Sequence, residues 1–107
     1  MAYDEALAER IRARVSGATE KRMFGGLAFL VNGNMAVAAS GQGGLLCRVD
    51  PDESARLVRT TKAVPMVMRG REMTGWLRLD AYDVRTKRQL SPWVSRCAAY
   101  ARTLPKK

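Results

Sequence analysis

Met23-Phe24-Gly25-Gly26-Leu27-Ala28-Phe29-Leu30-Val31-Asn32-Gly33-Asn34-Met35 decides how this chain is read. An apolar run carrying paired glycines leads into Asn32-Gly33, and a second apolar run follows. A two-residue hairpin turn needs positive φ at both central positions, which Asn-Gly tolerates best. The stretch therefore predicts a hairpin, with strands over Arg22–Val31 and Met35–Ser40. Glycine weakens a strand interior, so Gly25-Gly26 marks a bulge or a close backbone approach. Alternation puts Phe24 and Leu30 on one face of the first strand and Met23, Leu27, Phe29 and Val31 on the other. One face suits covering helices, and the other calls for a second cover.

Working outward, Gly41-Gln42-Gly43-Gly44 reads as a flexible turn and Leu45–Val49 as a third strand. In Asp50-Pro51-Asp52-Glu53 a capping residue, a proline suited to the first helical position and a capping-box glutamate open a helix that runs to about Thr60. Met66–Arg69 and Met73–Leu79 form a second predicted hairpin around Gly70. Upstream, Leu7, Ile11 and Val15 line one side of a helix from Asp4 that stops near Gly17. Two starts compete for the last helix. Thr86 and Gln89 fit a capping box, while Ser91-Pro92 fits a cap followed by proline. A proline inside a helix removes a backbone hydrogen bond, so the regular helix is predicted over Ser91–Arg102, with a first turn near Thr86. The order α-β-β-β-α-β-β-α predicts one α+β domain over residues 1–107, a two-layer sandwich of helices on an antiparallel sheet.

Composition narrows the function classes. The chain has 107 residues, 47% of them apolar, two cysteines and no histidine. That composition suits a folded core without metal or disulfide support. No apolar run reaches the ~18 residues of a membrane span, and the acidic N-terminus does not resemble a signal peptide, so a cytoplasmic location is expected. Cys47 and Cys97 lack metal-ligand spacing and read as reduced core residues. Without histidine there is no Ser-His or Cys-His pair. Asp50, Asp52 and Glu53 are explained by capping. Gly41–Gly44 lacks the Lys-Ser/Thr of a phosphate-binding loop and leads into a strand. The reading is therefore non-enzymatic, with no catalytic set, no cofactor and no metal.

Charge is uneven. Residues 1–50 carry six Lys/Arg against five Asp/Glu; residues 51–107 carry thirteen against five. From Arg85 onward every charge is basic: Arg85, Lys87, Arg88, Arg96, Arg102, Lys106 and Lys107. These are the candidate nucleic-acid contacts, of a kind that is electrostatic and weakly sequence-specific.

Arg22-Met23-Phe24-Gly25-Gly26 with Asn32-Gly33, Leu46-Cys47-Arg48-Val49-Asp50, Gly75-Trp76, Trp93-Val94 and Leu104-Pro105-Lys106 together resemble the N-terminal domain of the TfoX/Sxy family of bacterial competence regulators. The resemblance covers nearly the whole chain. It implies a fold like that of type III secretion chaperones and a stand-alone domain, since the C-terminal domain of the name-giving regulators does not follow. It implies no catalytic residues; Met23, Phe24, Gly25, Gly26, Asn32, Gly33, Gly75, Trp76 and Trp93 enter as structural motif positions. The expected function is a regulatory module acting through macromolecular contacts, with a protein partner in transcription and weak non-specific nucleic-acid binding. The alternative is a dimeric protein-interaction module with no nucleic-acid role. A homodimer that covers the second apolar face of the sheet is expected in either case.

Overall fold

The computed structural model describes residues 3–23 and 25–106. Helix α1 (Glu5–Arg12) begins at Asp4, whose carboxylate accepts from the Leu7 N–H at 3.1 Å. Four strands follow: β1 (Thr19–Met23), β2 (Gly26–Val31), β3 (Asn34–Ala39) and β4 (Leu45–Arg48). Helix α2 (Pro51–Thr60) is capped by Asp50. Strands β5 (Val64–Met68) and β6 (Arg71–Leu79), a 3-10 turn over Ala81–Val84 and helix α3 (Lys87–Thr103) complete the chain. All six strands join one antiparallel sheet in the order β1-β2-β3-β4-β6-β5. The α+β class and the antiparallel sheet agree with the sequence reading.

Two expectations need correction. The single strand Arg22–Val31 is two strands, and Met23 at the end of β1 pairs with Gly26 at the start of β2. Gly25 has φ +77°, the left-handed conformation that glycine adopts without steric cost. The glycine pair is thus a corner, not a strand interior. The corner also resets the alternation. Met23 shares a face with Ala28 and Leu30, not with Leu27 and Phe29 as a continuous strand would have it. Second, α3 is continuous from Lys87, with Pro92 inside it. The Thr86–Gln89 capping box forms in both directions, at 3.1 Å each way. Leu90, Val94, Cys97, Ala98 and Ala101 bury one side of the helix. That packing outweighs the hydrogen bond lost at Pro92.

The three helices lie on one face of the sheet. Leu7, Ile11, Leu57, Leu90 and Val94 meet Phe29, Val37, Leu45, Cys47 and Leu77 in a closed core. Arg12 ties α1 to β1 through Glu20 at 2.8 Å, a contact that holds the Glu20 carboxyl below its ordinary pKa. Register shifts at Phe29/Leu30 and at Pro65/Val67 interrupt the ladders. Such irregularities bend a strand and increase its twist.

Candidate functional site

Among the described residues, no helix covers the other face of the sheet. Its floor is Ala28, Met35, Ala38 and Leu46, with Met23, Leu30, Met66 and Trp76 packed around them. These side chains alternate with the core residues. Leu46 stands between Leu45 and Cys47, and Ala28 between Leu27 and Phe29. The face is concave. Met23 at one end of the sheet and Met66 to Arg69 at the other line the same cavity of about 270 Å³.

The glycine corner shapes one rim of this cavity. A Cβ on Gly26 would lie 2.2 Å from the Ala39 carbonyl oxygen, and one on Gly41 would lie 2.6 Å from the Gly25 carbonyl oxygen. The corner and the loop after β3 therefore touch backbone to backbone. Loop residues Ser40, Gly41 and Gln42 come to the cavity beside Met23. Ser40 organises the loop: its Oγ accepts from the Gln42 N–H at 3.1 Å and from an Arg78 guanidinium nitrogen at 3.1 Å. A second nitrogen of Arg78 donates to the Gly43 carbonyl at 3.2 Å.

Two arginines line this cavity and two further cations flank its floor, while Asp80 and Asp83 line the neighbouring cavity that shares Arg78. Strand register puts Lys21 beside Ala28, Arg48 beside Trp76 and Arg78 beside Leu46, and Arg69 lines the cavity. The Arg48 guanidinium stands 5.3 Å from the centre of the Trp76 ring. Among the described residues none of the four cations forms an ion pair, and no carboxylate lines the cavity.

The motif residues serve the frame. Asn32 (φ +54°) and Gly33 (φ +79°) make the left-handed pair that the hairpin turn requires. Buried Asn34 fastens the turn to the C-terminal tail by donating to the Pro105 carbonyl at 2.9 Å. Gly75 sits tight against Pro51 and the Val49 carbonyl, each 3.2 Å from a would-be Cβ. Trp93 packs half-buried against the helical core, under Arg96. Phe24 and Lys107, both named from the sequence, lie outside the described residues.

The candidate nucleic-acid contacts do not converge. Arg85 stacks on Tyr82 at 3.7 Å, and Arg96 pairs with Glu53 at 3.1 Å. Lys87, Arg88, Arg102 and Lys106 are exposed on and beyond α3 without ion-pair partners among the described residues. Asp50 caps α2 by accepting from the Asp52 N–H at 2.9 Å, whereas Glu53, expected in a capping box, pairs with Arg56 and Arg96 instead. Cys47 and Cys97 are fully buried neighbours; burial, then Cys97, pushes the Cys47 thiol well above its ordinary pKa.

Sequence reasoning found an uncovered apolar face but missed its curvature. The signal lay in Ala28, Ala38 and Leu46, apolar residues on the strand faces opposite the core.

A model of the TfoX N-terminal domain matches residues 10–101. The chain belongs to the TfoX N-terminal domain family. The match spans both hairpins, the glycine corner and most of α3, so this TfoX N-terminal domain holds the concave face inside its family-defining region. A comparison with curated proteins finds no match.

Proposed function

We infer that this TfoX N-terminal domain is a non-enzymatic regulatory module that works through macromolecular contacts made by the concave face of its sheet. The open apolar face carries this reading. Its buried apolar floor opens into a methionine-lined cavity instead of packing under a helix, and such concave, mostly apolar shapes are where binding sites form. Family membership supports the regulatory assignment, and transcription is the process that the name-giving regulators suggest. The chemistry of the chain supports a non-enzymatic role: it has no histidine, and both thiols are buried.

The test compares transcript profiles of the host strain carrying the wild-type gene, a deletion, or an Ala38→Phe allele that fills the cavity. The inference expects the deletion to shift a defined set of transcripts and Ala38→Phe to reproduce that shift while the purified variant stays folded. A deletion without effect contradicts the regulatory role. A wild-type profile for Ala38→Phe contradicts the assignment of the face.

A homodimer closing the same face is the second reading, favoured by the apolar floor. Bringing two sets of these four cations into one interface opposes it. Weak nucleic-acid binding by the exposed residues of α3 is compatible with either reading, because it uses a different surface.

A further inference from the structure

We propose that the concave face is a docking groove for an acidic, amphipathic segment of a partner protein, which seats one bulky apolar side chain in the methionine-lined cavity. This rests on the macromolecular-contact reading and names the chemistry of the partner.

The size of the cavity points to a side chain. About 270 Å³ is at the lower limit of the ~300–1,000 Å³ of small-molecule and cofactor sites. It suits a single large aliphatic or aromatic anchor, the kind of residue that dominates protein interfaces. Met23, Met35, Met66 and Met68 supply flexible, polarizable walls that adapt to such an anchor.

Charge selects an acidic segment over a second copy. Lys21, Arg48, Arg69 and Arg78 surround the floor, with no carboxylate in the cavity. A two-fold dimer through this face would bring two sets of these cations into one interface, whereas carboxylates on a partner pair with them. Arg78 is already positioned. Ser40 and Gly43 hold two of its guanidinium nitrogens, and other N–H groups of its five remain for a carboxylate.

The edges of the sheet indicate how the segment lies. Strand β1 exposes Glu20, Lys21 and Arg22, and β5 contains Pro65. Charged and proline-bearing edges resist the addition of another strand. The groove is therefore crossed by a segment that presents an apolar face, as a helix does in a groove.

The test displays a library of ~18-residue amphipathic peptides, about five helical turns, with apolar positions fixed at helical spacing and polar positions randomised. Wild-type domain selects, and Ala38→Phe domain is used for counter-selection. The proposal expects enriched peptides to be more acidic than the input and to lose binding to Ala38→Phe. Arg69→Glu, at an exposed position, and Arg78→Glu are each expected to weaken the best peptide about tenfold. Arg69→Glu keeps the test informative if Arg78→Glu disturbs the Ser40 loop. Enrichment of neutral or basic peptides overturns the proposal, as does binding that Ala38→Phe leaves unchanged. A concentration-dependent dimer abolished by Ala38→Phe also overturns it, in favour of a second copy. If peptide selection fails while the Ala38→Phe allele still mimics the deletion in cells, the acidic-partner proposal falls and the regulatory reading stands. If the allele behaves as wild type, that reading falls too.

Discussion

Leu45 and Leu46 are adjacent in β4 and belong to different regions of the molecule. Leu45 is fully buried under the helices among Phe29, Val37, Leu77 and Leu79. Leu46 is nearly as buried, but beside Ala28, Ala38 and an open cavity. One face of the sheet is sealed by three helices, and the other is closed only by its own curvature and its methionines. Small exposed area therefore does not mean the same thing on the two faces. On the first it reflects a finished core; on the second it reflects a concavity that excludes water poorly and leaves room for a guest.

Truncation of the two leucines gives the largest expected contrast. Leu45→Ala should cost about 2–5 kcal/mol, the range for a large-to-small change in a closed core. Leu46→Ala should cost about 1–2 kcal/mol, because water or neighbouring methionines can fill the space. Equal costs in denaturant unfolding would erase the difference between the faces.

The glycine corner sharpens the same comparison, because it sets which face Met23 joins. Gly26→Ala should destabilise by about 1–3 kcal/mol, since its Cβ would enter the Ala39 carbonyl at 2.2 Å. Gly25→Ala should cost about 1 kcal/mol, from its positive φ alone. Thermal melts of the pair test the order; a milder effect at Gly26 would contradict the close approach.

Alkali probes the sealed face. The Cys47 pKa is raised in the folded protein, by burial and then by Cys97. The unfolded chain therefore releases this proton first, and stability is lost as pH rises above about 8.5, the ordinary thiol value. Below that pH the contribution is fully present. The expected slope is about 1.4 kcal/mol per pH unit. Cys47→Ala should flatten it, and an unchanged slope in that variant would place the titration elsewhere.

The smallest effects concern α3. Thr86→Ala should cost about 1 kcal/mol by removing one half of the capping box. Oligonucleotide binding through Lys87, Arg88 and Arg102 should be weak and should fall steeply with salt, with dissociation constants on the order of 10⁻⁴–10⁻⁶ M at physiological salt. An acidic peptide in the groove should leave it unchanged. Competition between peptide and oligonucleotide would merge two surfaces that the structure keeps apart.

Much of the fold was legible because its punctuation is local. Asn32-Gly33, Asp50-Pro51 and Thr86 with Gln89 each act within four residues, and each forms the turn or cap expected of it. The break between β1 and β2 was not legible in the same way. Gly25-Gly26 reads equally as a bulge inside a strand, and only the pairing of Met23 with Gly26 shows a hairpin. That one ambiguity put Met23 on the wrong face. The candidate site was half visible: alternation revealed a second apolar face, but the register shift at Phe29/Leu30 carries no local motif, and Pro65 marks only the one on the edge strand. Arg85 and Arg96 looked like free cations because their partners, Tyr82 and Glu53, are fixed by local geometry in one case and by tertiary packing in the other.

The central claim is that contacts are made by the concave face and not by the outer side of α3. Photo-crosslinking in the host cell tests it most directly, with a photoreactive residue placed at Met66 on the groove wall or at Ser95 on the exposed side of α3. Position 66 is expected to give an adduct, heavier than the domain by a mass other than its own and lost when Ala38→Phe is added, with none from position 95. An adduct from position 95 alone, or one from position 66 that survives Ala38→Phe, would contradict it.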